Sequence, residues 1–269
     1  MTHMIYVVPS LKAKEKLQSE GKAWAESQGF TYVPRGKRTI QDLMDEYGED
    51  FLVYSSRGPQ IDRPEGSHFF SLNMAELRIQ NLRKGQRDHL LEALMGRGSS
   101  KLPITVLDCT CGFGADAAVA SFGLPTGSRV DALEVSPLLE AVTSWGFSHF
   151  VHKKDDVTAA LRRISLRRSD YRDYLLSDEG PVYDVLYFDP MFQRPVEASC
   201  QFQPVRAIME HGGLTRDLIE RALQKARRRV VIKERDFRQL CRDFPEAVLY
   251  GGKYSRIGYA VLECDSWKK

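Results

Sequence analysis

The sequence predicts an α/β protein. A mostly parallel seven-stranded sheet is wrapped by helices and finished by an antiparallel C-terminal strand, and a small N-terminal α/β lobe precedes it. Three observations carry this reading. From residue 101 onward, short apolar runs alternate with helix-like stretches, the rhythm of a parallel sheet with helical crossovers. The first run, Ile104–Leu107, is continuously apolar, as expected of a strand buried on both faces, and leads straight into a glycine-rich turn. The last two runs, Val248–Tyr250 and Gly258–Leu262, flank Gly251-Gly252 with no helix between them, so they pair antiparallel.

In chain order, Ile5–Val8 reads as a strand and Leu11–Ser27 as a charged surface helix. Phe30–Val33 is a strand, Ile40–Tyr47 a short helix and Phe51–Tyr54 a third strand. The glycines and prolines of Arg57-Gly58-Pro59 through Gly66 indicate a loop. Residues 74–95 read as helix broken at Lys84-Gly85, and Gly96–Ser100 as a flexible joint. Then come strands at Ile104–Leu107, Arg129–Leu133, Ile164–Arg167, Val182–Phe188 and Val230–Ile232, before the final pair. The expected organisation is a lobe over 1–73, a helical connector over 74–100 and a main domain over 101–269.

Composition narrows the class. At about 150 residues per domain, 269 residues fit one medium domain with a sizeable appendage or two small domains. Hydrophobic residues make 42% and charged residues 28%, which excludes disorder for the bulk of the chain. No uncharged apolar run nears the roughly 20 residues of a membrane span, and the start, Met1 to Pro9, turns polar too soon for a secretory signal. A cytoplasmic protein is expected. Lys and Arg number 39 against 36 acids, a net +3 that permits nucleic acid as a partner without demanding it. The five cysteines are odd in number and irregularly spaced, so no disulfide framework is expected. Cys109 and Cys111 lack a second ligand pair, and no third ligand joins His149 and His152, so no metal is expected either.

The sharpest local signal is Val106-Leu107-Asp108-Cys109-Thr110-Cys111-Gly112-Phe113-Gly114-Ala115-Asp116, between a strand and a helix opening near Ala117. Glycine lets the backbone turn tightly and approach a ligand, and the helix behind offers free N–H groups. A dinucleotide site would match G-x-G-x-x-G with Ala117 in third place. Asp108 tilts the reading, because an acid at the strand end repels a pyrophosphate and attracts a cation. S-adenosylmethionine carries an ammonium and a sulfonium and no phosphate. The string resembles the first motif of class I methyltransferases, D-x-x-x-G-x-G. Glu134 ends the next strand, where a carboxylate accepts hydrogen bonds from ribose hydroxyls. Asp170 follows the third strand, placed either to contact the adenine amino group or to cap a helix.

Tyr187-Phe188-Asp189-Pro190-Met191-Phe192 follows the fourth strand. It resembles the D/N-P-P-Y/F/W motif of methyltransferases acting on exocyclic base amines, with Met191 in place of the second proline. Such an amine is a poor nucleophile because its lone pair is delocalised into the ring. Acceptors at its N–H groups, here Asp189 and the Pro190 carbonyl, aim that lone pair and stabilise the growing positive charge. Phe192 would stack on the base.

Together with Leu133-Glu134-Val135-Ser136-Pro137 and Arg229-Val230-Val231-Ile232-Lys233, these strings resemble the RsmJ family, which methylates N2 of a guanosine in small-subunit ribosomal RNA. The resemblance covers roughly residues 74–262, including a looser match over Met74–Arg78 and Lys84-Gly85. It implies a Rossmann-like class I methyltransferase fold and S-adenosyl-L-methionine as cofactor. Asp108, Gly112, Gly114, Ala115 and Asp116 would line the cofactor loop. Glu134 and Val135 would serve the ribose and adenine, Asp170 and Tyr171 would flank the adenine, and Asp189 would line the transfer site. Asp189, Pro190 and Phe192 would be catalytic. The family usually has arginine at Ala115, and residues 1–73 differ, which indicates a diverged member.

The expected function is therefore methylation of an exocyclic base amine in RNA, most simply N2 of a guanosine in 16S rRNA, with rRNA or the small ribosomal subunit as partner. Arg194, Arg206 and the basic N-terminal clusters would hold phosphates, and residues 193–213 could form a lid. The alternatives are a methyltransferase for DNA or a small molecule, a catalytically inactive RNA-binding or ribosome assembly factor, and a dehydrogenase.

Overall fold

The computed structural model describes residues 4–96, 102–190, 213–251 and 257–264. By contacts they form two units. One takes in the described residues up to Ser71 together with Ser136–Phe150, and the other takes in Leu72–Val135 and the described residues from Val151 onward.

The first unit is built on a five-stranded sheet from β1 (Tyr6–Pro9), β2 (Thr31–Tyr32), β3 (Phe51–Ser55), β4 (Gly58–Arg63) and β5 (Gly66–Phe69), ordered β2-β1-β3-β4-β5. The first three strands run parallel, linked by α1 (Glu15–Ser27) and α2 (Ile40–Tyr47). Thr39 starts α2 with a capping box: its hydroxyl accepts from the Asp42 N–H, and the Asp42 carboxylate accepts from the Thr39 N–H. Val8, Leu43, Phe51 and Val53 form a small core between α2 and the sheet.

The loop expected over 57–66 is largely strand, buried throughout Gly58–Arg63. Two-residue turns at Ser56-Arg57 and Pro64-Glu65 close successive hairpins, with Ser55 opposite Gly58 and Arg63 opposite Gly66. Pro59 is tolerated because β4 begins pairing with β5 only at Gln60, so its missing N–H faces no partner strand.

In the second unit, α3 (Asn73–Arg83) and α4 (His89–Met95) follow the predicted helix with the predicted break, where Gly85 takes φ +75°. Asp88 caps α4 through the N–H groups of Leu90 and Leu91. The sheet then unfolds in chain order as β6 (Thr105–Asp108), α5 (Ala115–Gly123) and β7 (Arg129–Glu134). The next helix, α6 (Pro137–His149), belongs to the first unit. There it packs on β4, and Gly146 admits Phe70, which meets Phe147 and Phe150 edge-on at 5.6 and 5.5 Å. The second unit resumes with α7 (Asp155–Leu161), β8 (Ile164–Arg168), α8 (Tyr171–Leu176) and β9 (Val185–Phe188). It ends with α9 (Arg216–Lys225), β10 (Arg229–Glu234), α10 (Arg238–Asp243), β11 (Val248–Gly251) and β12 (Gly258–Glu263).

The sheet order is β11-β12-β10-β9-β6-β7-β8, and β12 alone runs antiparallel to its neighbours. The seven strands and the antiparallel finish are those the sequence predicts. Strand order grows from β6 through β7 to β8, then reverses to β9 and β10 on the other side of β6. Ligands bind such sheets at that reversal, beyond the carboxyl ends of the strands. Leu107, Leu133, Phe188 and Ile232 anchor these strands in one buried core with Ile219 and Leu223 of α9.

A candidate active site at the strand ends

The glycine turn is held from both sides. The Cys109 N–H donates to the Tyr187 carbonyl at 2.8 Å and the Cys111 N–H to the Leu133 carbonyl at 2.9 Å, tying the turn to β9 and β7. The Thr110 N–H donates to Asp108 Oδ1 at 3.1 Å, and the Gly112 N–H donates to Glu134 Oε2 at 2.9 Å. Gly112 and Gly114 take φ of +54° and +74°, the left-handed region where a side chain is strained. Gly114 caps α5, which opens at Ala115, two residues before the predicted Ala117.

Parallel topology gathers the predicted acids. Asp108 ends β6, Glu134 ends β7, Asp170 follows β8 and Asp189 follows β9, and these four strands are contiguous in the order β9-β6-β7-β8. Val135 is half-buried beside Glu134, and Pro190 is half-buried after Asp189. Asp170 caps α8, accepting from the Arg172 N–H at 2.8 Å and from its guanidinium. Tyr171 is buried in the core, with its ring edge-on to Phe188 at 5.4 Å. Met191, Phe192, Arg194, Arg206 and all of the 193–213 segment but Gly213 lie outside the described residues.

Asp116, expected at the cofactor loop, opens α5 with its side chain turned into a network of charges. Its carboxylate is 8% exposed and engaged on every side. Oδ1 accepts from Arg78, and Oδ2 accepts from the Tyr187 hydroxyl at 2.7 Å and the Lys233 ammonium at 2.8 Å. Lys233 also donates to Asp189 Oδ2 at 2.7 Å, and Arg78 grips Asp88 with two 2.8 Å bonds. One chain of charges, Asp88–Arg78–Asp116–Lys233–Asp189, therefore runs from the α4 cap to the strand end of β9. The Asp189 N–H is fixed by Thr110 Oγ1 at 2.7 Å.

Burial and neighbours set the protonation of these groups. Burial raises the Asp116 carboxyl, but Lys233 and Arg78 outweigh it and hold it well below the usual range. Burial opposes the charge on Lys233, and Asp116 and Asp189 outweigh it, so the ammonium stays charged. Asp189 is pushed up to about 6 by burial, against the pull of Lys233 and with the push of Asp116. Burial, then Asp116, raises the Asp108 carboxyl well above the carboxylate range.

This donor set fits a cationic, phosphate-free cofactor. A pyrophosphate at the turn would meet Asp108, where burial already penalises negative charge, and Lys233, which reaches the strand ends, is spent on two carboxylates. A sulfonium or ammonium would instead favour the ionised form of Asp108.

Lys233, Arg78 and Tyr187 occur in strings noted from the sequence, but without assigned roles. For Lys233 the signal was available: a lysine closing the apolar run Val230-Val231-Ile232 must find an anion if the strand is buried. Arg78 and Tyr187 carried no such local signal.

The comparisons agree with this geometry. The sequence profile of the family described as "Putative SAM-dependent methyltransferase" matches residues 67–258. The Bacillus subtilis protein YpiP is 28% identical over 230 residues, covering 85% of this chain and 88% of that one. Ribosomal RNA small subunit methyltransferase J of Thioalkalivibrio sulfidiphilus is 30% identical over 229 residues, covering 82% and 84%. A crystal structure of a SAM-dependent methyltransferase from Neisseria gonorrhoeae superposes with a TM-score of 0.58 at 16% identity, covering 96% and 95% of the two chains, and so shares the fold. The architecture is the class I methyltransferase fold, and the chain belongs to the SAM-dependent methyltransferase family that includes ribosomal RNA small subunit methyltransferase J, with S-adenosyl-L-methionine as cofactor.

Proposed function

We propose that this protein methylates an exocyclic base amine in RNA, N2 of a guanosine in small-subunit rRNA. The observation that carries the reading is the state of Asp189. Its backbone and its Oδ2 are both pinned, by Thr110 and Lys233, while Oδ1 carries no hydrogen bond among the described residues. A pinned carboxylate with one available oxygen, followed by a proline carbonyl, is an acceptor pair suited to two N–H groups on one amine. The kinship to enzymes named for small-subunit ribosomal RNA supports the choice of polymer. Methylation of rRNA places the protein in the cytoplasm.

The cofactor supplies an electrophilic methyl on a sulfonium. The chain's residues do the rest. Asp108, Gly112, Gly114 and Ala115 shape the loop that receives it, with Glu134 and Val135 at the ribose. Asp170 and Tyr171 border the adenine, and Asp170 does so while also capping α8. Asp116 acts through Lys233 rather than by direct contact. Asp189 and the Pro190 carbonyl orient the target amine, and Phe192 stacks on its base once the nucleotide has left its helix. No strong base is required, because the alkylated amine loses its proton readily.

The test is transfer of labelled methyl from S-adenosylmethionine to small-subunit rRNA, with nucleoside mass spectrometry of the product. N2-methylguanosine is the expected product. Label on DNA or on a small metabolite alone would replace the substrate assignment. Calorimetry on wild type and Glu134→Ala checks the cofactor half separately, and the variant should bind roughly tenfold more weakly for loss of a charged acceptor.

A further inference from the structure

We infer that the first unit holds a second base-binding site, an aromatic cleft between α1 and α6 that stacks one unpaired nucleobase of the RNA. This rests on the RNA reading above and adds a recognition element to it.

The cleft has a volume of about 580 Å³ and opens to solvent. One face of α1 lines it with Glu20, Ala23, Trp24 and Ser27, at helical spacings of three and four, and Gln28 follows at the helix end. Ser144, Trp145, Ser148 and His149 line it from α6, and Tyr54 of β3 completes it. Ala23, Ser27, Ser144 and Ser148 are small, so the helices leave the gap unfilled.

The aromatic walls are fixed in advance. A Cβ on Gly21 would lie 3.0 Å from the Tyr54 ring, so glycine there lets the ring seat closely under α1. A Cβ on Gly58 would lie 2.5–2.6 Å from three atoms of the Trp145 indole, so Trp145 packs flat on bare backbone. The His149 ring stacks on Trp145, with centroids 5.1 Å apart and planes 8° apart, and Trp24 leans on Tyr54 at 5.5 Å. Rigid, flat aromatic surface lowers the entropy cost of stacking a planar ligand.

Polarity selects the ligand class. Among the described residues no lysine or arginine lines the cleft, and Glu20 does, so an anion is disfavoured inside it. Glu20 and Gln28 offer hydrogen-bond acceptors to ring N–H and exocyclic amine groups, the pattern on the pairing edge of guanine. Lys16, one turn before Glu20 on the same helix face and loosely paired with it at 3.9 Å, stands exposed at the rim, where a phosphate flanking an inserted base would pass. An aromatic cage for a methylated ammonium also uses rings and an acid. Here, however, the volume far exceeds one ammonium head, and the Trp145–His149 pair presents a flat stack rather than a cup.

The readout is tryptophan fluorescence, since two of the chain's three tryptophans, Trp24 and Trp145, line the cleft. The probe is a short guanine-rich single-stranded oligoribonucleotide titrated into the full chain. Wild type should be quenched. Trp24→Leu should lose about tenfold in affinity, as for removal of one stacking partner. Ala23→Trp, which fills the cleft from an exposed helix position, should lose as much, with S-adenosylmethionine binding by calorimetry unchanged as proof of folding. If wild type binds the RNA and both variants bind equally well, the cleft is not a base site, although the RNA reading stands. If wild type binds no RNA, the RNA reading itself fails and the cleft proposal falls with it. Saturable quenching by a trimethyl-lysine peptide, with none by RNA, would reassign the cleft to a cationic ligand.

Discussion

The strand-end crevice and the aromatic cleft are built by opposite means. In the crevice, the Lys233 ammonium bridges Asp116 and Asp189, and Arg78 ties Asp116 on to Asp88. In the cleft, fixed rings enclose space, and glycines rather than ion pairs hold them. Charge placed by a chain of salt links suits a reaction in which charge appears on an amine. Flat apolar surface suits selection among planar groups. The difference teaches where each kind of site breaks: the crevice through a lost partner, the cleft through added volume.

The largest break should come at the acceptor. Asp189→Ala removes the carboxylate from the target amine and should lower kcat about a thousandfold, the scale of a lost preorganised electrostatic group. Cofactor affinity by calorimetry should stay within a factor of a few. Turnover near wild type would remove Asp189 from the transfer site.

Next in size is Lys233→Met. It leaves Asp116 and Asp189 facing each other with a shared cation gone, a loss of about 3 kcal/mol for a broken buried pair. Urea unfolding should show it as a lowered midpoint. Lys233→Met with Asp116→Asn should recover much of that stability, because the stranded charge is gone, yet it should not recover activity, because Asp189 remains unpinned. Recovery of both together would mean that Lys233 serves stability alone.

These two residues also mark how far the sequence could be read. Asp189 was legible because its neighbours in the chain, Pro190 and the apolar run of β9, carry its meaning. Glu134 and Asp108 were legible for the same reason: a parallel sheet puts every strand's carboxyl end on one side, so acids at those ends converge whatever the loops do. The Asp116 partnership was not legible, since Arg78, Tyr187 and Lys233 come from α3, β9 and β10, and no local pattern links them. Asp170 could be read two ways, and the structure shows its capping role directly. The strand Gly58–Arg63 was hidden by Gly58 and Pro59. Both look like loop residues until the register shows that one closes a tight turn against Trp145 and the other needs no N–H partner. The cleft was least legible of all, because α1 and α6 are more than a hundred residues apart in sequence.

Gly58→Ala probes the cleft's construction. The residue has φ +86°, and a Cβ would collide with the Trp145 indole. Strain and displacement together should cost about 2 kcal/mol. The signature is a shifted tryptophan emission maximum with lowered stability, while cofactor affinity is retained. An unchanged spectrum would mean that Trp145 is not seated on Gly58.

The smallest expected effect concerns pH, and it separates the crevice from the cleft most finely. Asp189 titrates near 6 and must be ionised to accept the amine's N–H groups. Below that value kcat/KM should fall about tenfold per pH unit, equivalent to 1.36 kcal/mol per unit. The groups facing it are Lys233 and Glu234 of β10, Asp116 of α5 and Tyr187 of β9, and Lys233 stays charged and Asp116 ionised through that range. Stability should move the other way. A carboxyl raised in the folded state favours folding at low pH, fully so below its ordinary value of 3.8, and this contribution is lost as pH rises through about 6. Asp116, held low, contributes stability above the usual carboxylate range that is lost as pH falls. Asp189→Asn should therefore erase the acid limb of activity near 6 and remove a source of instability at neutral pH. Quenching of the cleft tryptophans by RNA should follow the same pH profile in wild type and Asp189→Asn, because Asp189 takes no part in stacking. An acid limb that persists in Asp189→Asn would assign the titration to another carboxylate of the crevice, with Asp108, also raised by burial, the next to replace.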